Sequence, residues 1–243
     1  MNIIKLNAIE STNSFLKELI LTQFVDNFTI VITGNQTKGK GQVGAVWDSE
    51  PGKNLTFSVL VKDVLIESSS VFILNTLVSI SIIKALEKFK IKNLAIKWPN
   101  DILSDQKKIA GILIENIFKG NNEIVSIVGI GLNVNQLYFE NLPQASSLAI
   151  LNNKEFEKDL ILEEIHNQIK FYCNQFSNNV KKDFWDEYHN YLFKKNIPSV
   201  FLDADNHKFM GIIKGVSSFG RLQVMLEDDT VKEFDLKEIK MLY

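Results

Sequence analysis

Runs of aliphatic and β-branched residues alternate along this chain with stretches whose apolar positions recur every three or four residues, and these two periods predict its elements. Ile3 to Leu6 predicts a short strand. Ser11-Thr12-Asn13-Ser14 then supplies N-cap residues ahead of Phe15, Leu16, Leu19 and Ile20, which fall on one helical face. Phe28 to Thr33 and Asn54 to Lys62 read as strands joined by a glycine-rich loop, and Val71 to Phe89 predicts a long, mostly buried helix ending in the charged run Lys84 to Lys90. Leu94 to Trp98, Lys108 to Ile117 and Glu123 to Val134 predict three more strands, the last two joined by a hairpin at Lys119-Gly120-Asn121-Asn122. The run Ile124 to Val134 is apolar enough to lie against a partner, and a central strand explains it equally well. Helical spacing returns at Phe156 to Phe176, through Leu160, Ile161, Ile165 and Ile169, and at Val180 to Phe193, through Phe184, Trp185, Tyr188, Tyr191 and Leu192. Both stripes read as core.

After Pro198 the pattern shortens. Alternating runs at Ser199 to Leu202, Met210 to Val216, Leu222 to Leu226 and Val231 to Asp235 are separated by polar turns, the spacing of a small all-β barrel. A boundary near 190 to 198 divides the chain into 1–194 and 195–243. The expected fold is α+β: a mixed sheet with helices on one side, followed by a small β-barrel. No internal repeat or low-complexity tract is present.

Composition narrows the chemistry. With 243 residues and 45% hydrophobic content the chain reads as a soluble globular protein of one large domain or one large and one small. A net charge of −2 and a pI near 6.0 give no broad basic field for nucleic acid or anionic membrane. Arg221 is the only arginine, so phosphate contacts must come from lysines and backbone N–H groups. Cys173 is the only cysteine, which excludes an intrachain disulfide and a Cys-based zinc site, and His166, His189 and His207 lack metal-ligand spacing. No metal bound directly by Cys or His is expected. The N-terminus shows no secretory signal, and the apolar run Val71 to Ile83, interrupted by Asn75, Ser79 and Ser81, is too short to span a bilayer. A cytoplasmic location is expected.

Two segments carry candidate chemistry. Lys97 to Asn116 places a Pro-Asn-Asp turn and a Lys-Lys-Ile-Ala-Gly approach between strand-like runs, where an α/β sheet presents side chains to a ligand. A plain hairpin corner with exposed lysines is the alternative. Four of the twelve glycines lie between Gly34 and Gly44, interleaved with Lys38 and Lys40, so a mobile backbone with free N–H donors and two cations could fold over an anion. An ordinary surface connection is the alternative here. Gly39-Lys40-Gly41-Gln42-Val43-Gly44 also fits G-x-G-x-x-G, but no helix opens within it and Trp47 to Lys53 leads into another strand, which argues against a dinucleotide fold.

Together these segments resemble the biotin protein ligase family. The resemblance rests on Glu10-Ser11-Thr12-Asn13, Gln36 through Trp47, Lys97-Trp98-Pro99-Asn100-Asp101, Lys108 through Leu113 and Gly129 through Asn135, five motifs in the family's order. It covers residues 1 to 150 most strongly, and the C-terminal β segment is similar to that family's SH3-like barrel. It implies a class II synthetase-like catalytic domain and a two-step reaction. Biotin is activated with ATP and Mg²⁺ as biotinyl-5′-AMP, then passed to a lysine of a biotin carboxyl carrier protein. By the resemblance, Ser11, Thr12, Asn13, Gln36, Lys40, Gly41, Gln42, Lys108, Gly111 and Gly129 bind biotin. Gly39, Lys40, Gln42, Trp47, Lys97, Asn100, Asp101 and Asn133 are implied for ATP, with Mg²⁺ near Asp101 and with Lys108, Asp101 and Lys40 as the catalytic set. For Trp47 and Asn133 core packing and a turn are the alternatives, and for Asp101 a cap of its own turn.

There are departures. The family loop commonly carries arginines where this chain has Lys40, Gln42 and Ala45, which implies weaker retention of the adenylate. The chain starts at the catalytic domain's first strand without a helix-turn-helix domain, so the single-function type, without DNA-binding repression, is expected. A homodimer is left open. The rival readings are a lipoate or octanoate transferase of the same fold, and a non-catalytic module that holds biotin or a carrier.

Overall fold

The computed structural model describes residues 1–64, 71–119, 124–178 and 183–243. Seven strands, β1 (Ile3–Ile9), β2 (Ile30–Gln36), β3 (Leu55–Val61), β4 (Leu94–Lys97), β5 (Asp101–Ser104), β6 (Lys107–Phe118) and β7 (Ile124–Leu132), form one sheet in the order β1-β2-β3-β7-β6-β5-β4. β1 and β2 run parallel, so a crossover must join them, and helix α1 (Thr12–Thr22) supplies it. All other neighbours are antiparallel, which makes the sheet mixed as expected. β7 lies between β3 and β6, and this internal position accounts for its nearly unbroken apolar run.

Period-two alternation assigns the strand residues to two faces. On one, Leu55, Phe57 and Val59 of β3 and Val128, Ile130 and Leu132 of β7 join the main core with α2 (Val71–Lys88) and α4 (Lys158–Ser177). Because α2 packs against both the sheet and α4, it is buried over most of its surface. On the other face Leu16 of α1 packs against Val31, Leu60, Val125 and Ile127. The expectation of helices on one side alone is therefore corrected: the stripe Phe15, Leu16, Leu19, Ile20 needs apolar cover and finds it on the opposite face. Two short helices, α3 (Leu148–Asn152) and α5 (Phe184–Asn190), complete this part. The hairpin signal at Gly120-Asn121-Asn122 and residues 180–182 of the last helical stripe lie outside the described residues.

Five C-terminal strands, β8 (Pro198–Asp203), β9 (Lys208–Val216), β10 (Leu222–Met225), β11 (Val231–Phe234) and β12 (Ile239–Leu242), form an antiparallel sheet in the order β11-β10-β9-β8-β12. No ladder joins β11 to β12 among the described residues, so the hydrogen bonding is that of an open sheet. Its core holds Phe201, Ile213, Val224 and Phe234, with Phe209 stacked at 5.6 Å from Phe201 and 5.8 Å from Phe234. This sheet is tied to the rest at defined points: Trp98 Nε1 donates to Gly220 O at 2.8 Å, and Val216 N donates to His189 Nε2 at 2.9 Å. Gly220 has φ +84°, and a Cβ there would lie 2.4 Å from Phe72, so both its conformation and its packing require glycine. Among the described residues no helix is long and apolar enough to cross a membrane.

His166 is buried in α4, with Nε2 bonded to Phe28 O at 2.9 Å and Nδ1 without a partner. Burial, with the charges of Lys170 and the N-terminus adding to it, pushes its pKa down. The folded state therefore binds fewer protons than the unfolded chain, so stability falls as pH drops below about 6.5, the ordinary histidine value. Urea unfolding at pH 7.5 and 5.5 is expected to show a smaller pH difference for His166→Gln than for the native chain. Equal differences would contradict this assignment.

Candidate active site

The face that carries α1 changes character along its strands. Where α1 covers it, Leu60, Val125 and Ile127 are apolar. Continuing the same alternation away from the helix, β3 presents Ser58 and Thr56, β7 Gly129 and Gly131, and β6 Glu115, Leu113 and Gly111. Small and polar residues replace large ones, and a cavity of about 200 Å³ opens over them.

At one end the cavity is polar. Ser11 caps α1, accepting from Ser14 N, and the first turn of that helix points its groups at Gln36. Thr12 N and Oγ1 donate to Gln36 Oε1 at 2.9 and 3.2 Å. The Ser58 hydroxyl lies 2.7 Å from Thr12 Oγ1 and 2.5 Å from Asn13 Oδ1, while Asn13 Nδ2 donates to Glu115 Oε2 at 2.8 Å. The Asn13 amide is thus held at both ends. It reaches this place because residue 129 is glycine: a Cβ there would stand 2.5 Å from Asn13 Oδ1.

Residues 39–47 fold back as a small hairpin. Trp47 N donates to Gly39 O at 3.0 Å, Gly41 N to Ala45 O at 2.6 Å, and a single 3-10 turn, Gln42–Gly44, makes the bend. The 3-10 turn is the one helical element between Gly39 and Trp47. Gly39 is required by packing, since its Cβ would sit 2.0 Å from Trp47 O. The Trp47 indole lies on the glycine floor, where Cβ atoms would come within 2.2 Å at Gly131 and 3.1 Å at Gly111. Its Nε1 is buried without a partner, and Lys108 Nζ stands 5.7 Å from the ring centroid. Lys40 Nζ donates to Ser14 Oγ at 3.2 Å, tying the loop to α1.

The other end is charged. Lys108 Nζ pairs with Asp101 Oδ1 at 2.7 Å, and Lys97 Nζ lies 3.8 Å from Asp101 Oδ2. A register shift between β5 and β6 aims Lys108: Ile102 pairs with Ala110 but Leu103 with Lys108. The extra residue lets Ile109 and Ala110 both enter the main core, and Lys108 regains the face of Asp101 and Gly111. The Pro-Asn-Asp segment is the turn of the β4–β5 hairpin, so the corner reading and the site reading are both met. Asn100 braces it, donating from Nδ2 to Ile112 O at 2.7 Å and accepting at its carbonyl from Ile112 N at 3.0 Å. Burial holds the Lys97 pKa below its ordinary value; Asp101 opposes this, and the charges of Lys108 and Lys240 add to it.

Of the residues singled out in the sequence, Ser11, Thr12, Asn13, Gln36, Lys40, Gly41, Gln42, Trp47, Asn100, Asp101, Lys108, Gly111 and Gly129 all line this one cavity. Gly39, Lys97 and Asn133 do not. Gly39 lies behind the lining, and Lys97 lines a neighbouring cavity. Asn133 is buried, donating to Ser146 O at 3.0 Å and, from its backbone N, to Ile109 O at 2.8 Å. Sequence reasoning missed Ser58, Thr56, Gly131 and Glu115, although strand alternation from Gly129 and Leu60 would have placed them. Asp101 is the one carboxylate in the lining, and lysines engage both of its oxygens, so the residues present form no Mg²⁺ cage. Among the described residues, the one group of three side chains able to hold a cation is Asp203, Asp205 and His207. That group belongs to the β8–β9 turn, where Asp203 Oδ1 accepts from the N–H groups of Asp205 and His207.

Comparison with known proteins follows the same geometry. The model of the biotin/lipoate A/B protein ligase family matches residues 6–135. The chain is 32% identical over 131 residues to the bifunctional ligase/repressor BirA of Bacillus spizizenii, covering 54% of this chain and 39% of that protein. It is 34% identical over 112 residues to the biotin–protein ligase of Homo sapiens, covering 43% and 15%. The matched stretches thus span well under two thirds of these relatives' own length. The biotin protein ligase of Aquifex aeolicus, solved in complex with biotin and ATP, superimposes with a TM-score of 0.80 at 26% identity, covering 99% of this chain and 98% of that one. The biotin acetyl coenzyme A carboxylase synthetase of Helicobacter pylori, at 19% identity and a TM-score of 0.65, shows the same fold.

The glycine floor is directly testable. Gly131→Ala is expected to push the Trp47 indole off the sheet, red-shifting tryptophan emission and costing about 1–3 kcal/mol in urea unfolding. An unchanged spectrum with unchanged stability would show that the indole does not rest there.

Proposed function

The chain belongs to the biotin/lipoate A/B protein ligase family, and from that premise we propose that it activates biotin with ATP and transfers the acyl group to a lysine of a carrier protein. The observation that carries this is one cavity with a fixed polar end, a flat indole wall and a lysine pair held by a single carboxylate. Relatives over these residues bear the names of biotin ligases, which favours biotin over lipoate as the acid.

In this reading Ser11, Thr12, Asn13 and Gln36 pair the ureido ring, whose donors and acceptors need partners once buried. Gly111 and Gly129 let Trp47 and Asn13 lie close to the sheet, so that the ring and chain pass over these side chains. Lys108 meets the biotin carboxylate and the α-phosphate, and Lys40, Gly39, Gly41 and Gln42 of the loop close over them. A carboxylate oxygen attacks the α-phosphorus, the bond to the bridging oxygen of the β-phosphate breaks, and pyrophosphate leaves with that electron pair. Two anions must meet for this, so cations preorganised at the junction lower the barrier by proximity and charge stabilisation. Trp47 walls the adenine, and Lys97, Asn100 and Asn133 support the nucleotide side. Mg²⁺ bound with the triphosphate would offset its charge, and Asp101 is the lining carboxylate that would face it.

In the second step a lysine amine attacks the acyl carbon and AMP leaves with the electron pair. With a pKa near 10.4, that amine must lose a proton first, and Asp101 is the carboxylate in the lining able to orient or accept it. The carrier is a biotin carboxyl carrier protein, the acceptor chemistry that this reading requires. Arginines are absent from the loop, so Lys40 is its one cationic contact to the adenylate.

Biotin-dependent exchange of pyrophosphate into ATP is expected for the native chain and not with lipoate. Lys108→Ala should lower it by about 100-fold or more, the size of a lost charge-stabilising contact. Exchange driven by lipoate would move the chain to the rival branch, and no exchange with either acid would leave a binding module.

A further inference from the structure

Glu115 is a half-buried acid on β6, paired across the sheet with Ile127 of β7, at the border where the apolar cover of α1 ends and the polar end of the cavity begins. It does not itself line the cavity. Among the described residues no lysine or arginine pairs with it, and its hydrogen-bond partner is Asn13 Nδ2 at 2.8 Å. A carboxylate in such a place gives up hydration for one bond, so its effect must lie in what that bond fixes.

An ionised carboxylate only accepts, and so does Leu113 O, 3.4 Å from the same nitrogen. The Asn13 amide is thereby held against flipping, and its Oδ1 faces Ser58, which must donate across 2.5 Å. A hydroxyl has one proton to give. With that of Ser58 spent, the 2.7 Å contact between Ser58 and Thr12 takes the proton of Thr12. Three oxygen–oxygen contacts thus compete for two hydroxyl protons. The one left without is the longest, Thr12 Oγ1 to Gln36 Oε1 at 3.2 Å, because that oxygen keeps the N–H of Thr12 at 2.9 Å. Thr12 Oγ1 then has lone pairs for a ligand in the cavity it lines, and Gln36, with its oxygen engaged, has Nε2 as a donor.

We propose that Glu115 is a positioning residue for substrate recognition: acting through Asn13 and Ser58, it sets the direction of these hydrogen bonds so that Thr12 meets the substrate as an acceptor and selects a ring carrying an N–H there. The inference rests on the biotin reading for its ligand and on the Glu115–Asn13–Ser58–Thr12 contacts for the relay. A cyclic urea satisfies such a site. A ring with oxygen in place of that N–H sets two acceptors face to face and is rejected, because a site built to pair a polar group is left unpaired by the analogue lacking it. Without the carboxylate the Asn13 amide turns over, Ser58 accepts from Nδ2 and donates to Thr12, and the Thr12 proton is released toward the ligand. The shape of the site is kept while its discrimination is lost.

The test uses the full chain with Glu115→Leu, an apolar side chain suited to the cluster beside Ile127, and Glu115→Gln, which keeps an accepting oxygen. Biotin and its two cyclic carbamate analogues, each with oxygen in place of one ring N–H, are titrated calorimetrically without ATP. The native chain is expected to favour biotin over at least one carbamate. Glu115→Leu should shrink that preference by about 10-fold or more, with Glu115→Gln near native and the KM for ATP in exchange unchanged. A preference unchanged in Glu115→Leu, or biotin and both carbamates weakened alike, would overturn the relay. The Asn13 side-chain amide signals in NMR spectra of the ligand-free protein read the same contacts: they should move in Glu115→Leu and stay in Glu115→Gln, and unmoved signals would also overturn it. Amide signals that move as expected in a chain that binds no biotin would uphold the positioning role and place the failure on the biotin reading.

Discussion

Everything in the site depends on side chains that are missing from one face of the large sheet. A strand internal to a sheet covered on both sides is normally apolar throughout, and β7 obeys this from Ile124 to Val128. Beyond that point Gly129 and Gly131 occupy the positions that would continue the α1-facing row, and β6 matches them with Gly111. Asn13 and Trp47 fill the space so left, one lying over Gly129 and the other over Gly131 and Gly111. A Cβ at either β7 position would overlap these side chains, and the Asn13 amide is itself held by Glu115 and Ser58. The cavity is therefore the continuation of a packed interface with its large side chains removed, which explains how a rigid sheet can present a pocket without giving up its core on the other side.

Charge is arranged on the same economy. One carboxylate, Asp101, stands between Lys97 of β4 and Lys108 of β6. Its hairpin turn is braced by Asn100 against Ile112 and by Trp98 against Gly220, so the position of the acid depends on both sheets. With a single acid present, the cluster is under-neutralised, and an incoming anion relieves like-charge repulsion as well as gaining contacts. The β-bulge beside Lys108 is the backbone device that makes this geometry available, since without it an isoleucine would face the cavity.

Much of this was legible in the sequence because strong local signals and motif order coincided. Strand and helix periods located most elements, and the grouped polar residues around Ser11, Gln36 and Lys108 converge on one cavity although they lie up to a hundred residues apart. Several features escaped. β5 was hidden because Asp101 to Ser104 is short and begins inside a turn signal, and β12 because Ile239 to Leu242 is short and adjoins a charged run. The placement of α1 on the far face was hidden because amphipathic spacing says that a stripe is buried, not against which side of a sheet. Glu115 was missed since a lone acid near the middle of an apolar strand carries no motif; only its contact with Asn13 shows what it does. Asn133 illustrates the converse, where a motif residue sits behind the cavity and bonds to Ser146.

The central claim is that this cavity joins two anions, and the most direct measurement is a rapid-quench single turnover of the protein with biotin and ATP labelled at the α-phosphate, without any carrier. The account predicts an acid-labile acyl adenylate approaching one equivalent of protein, formed together with pyrophosphate. Release of ADP, or tight biotin binding with no labelled acyl adenylate, would contradict it.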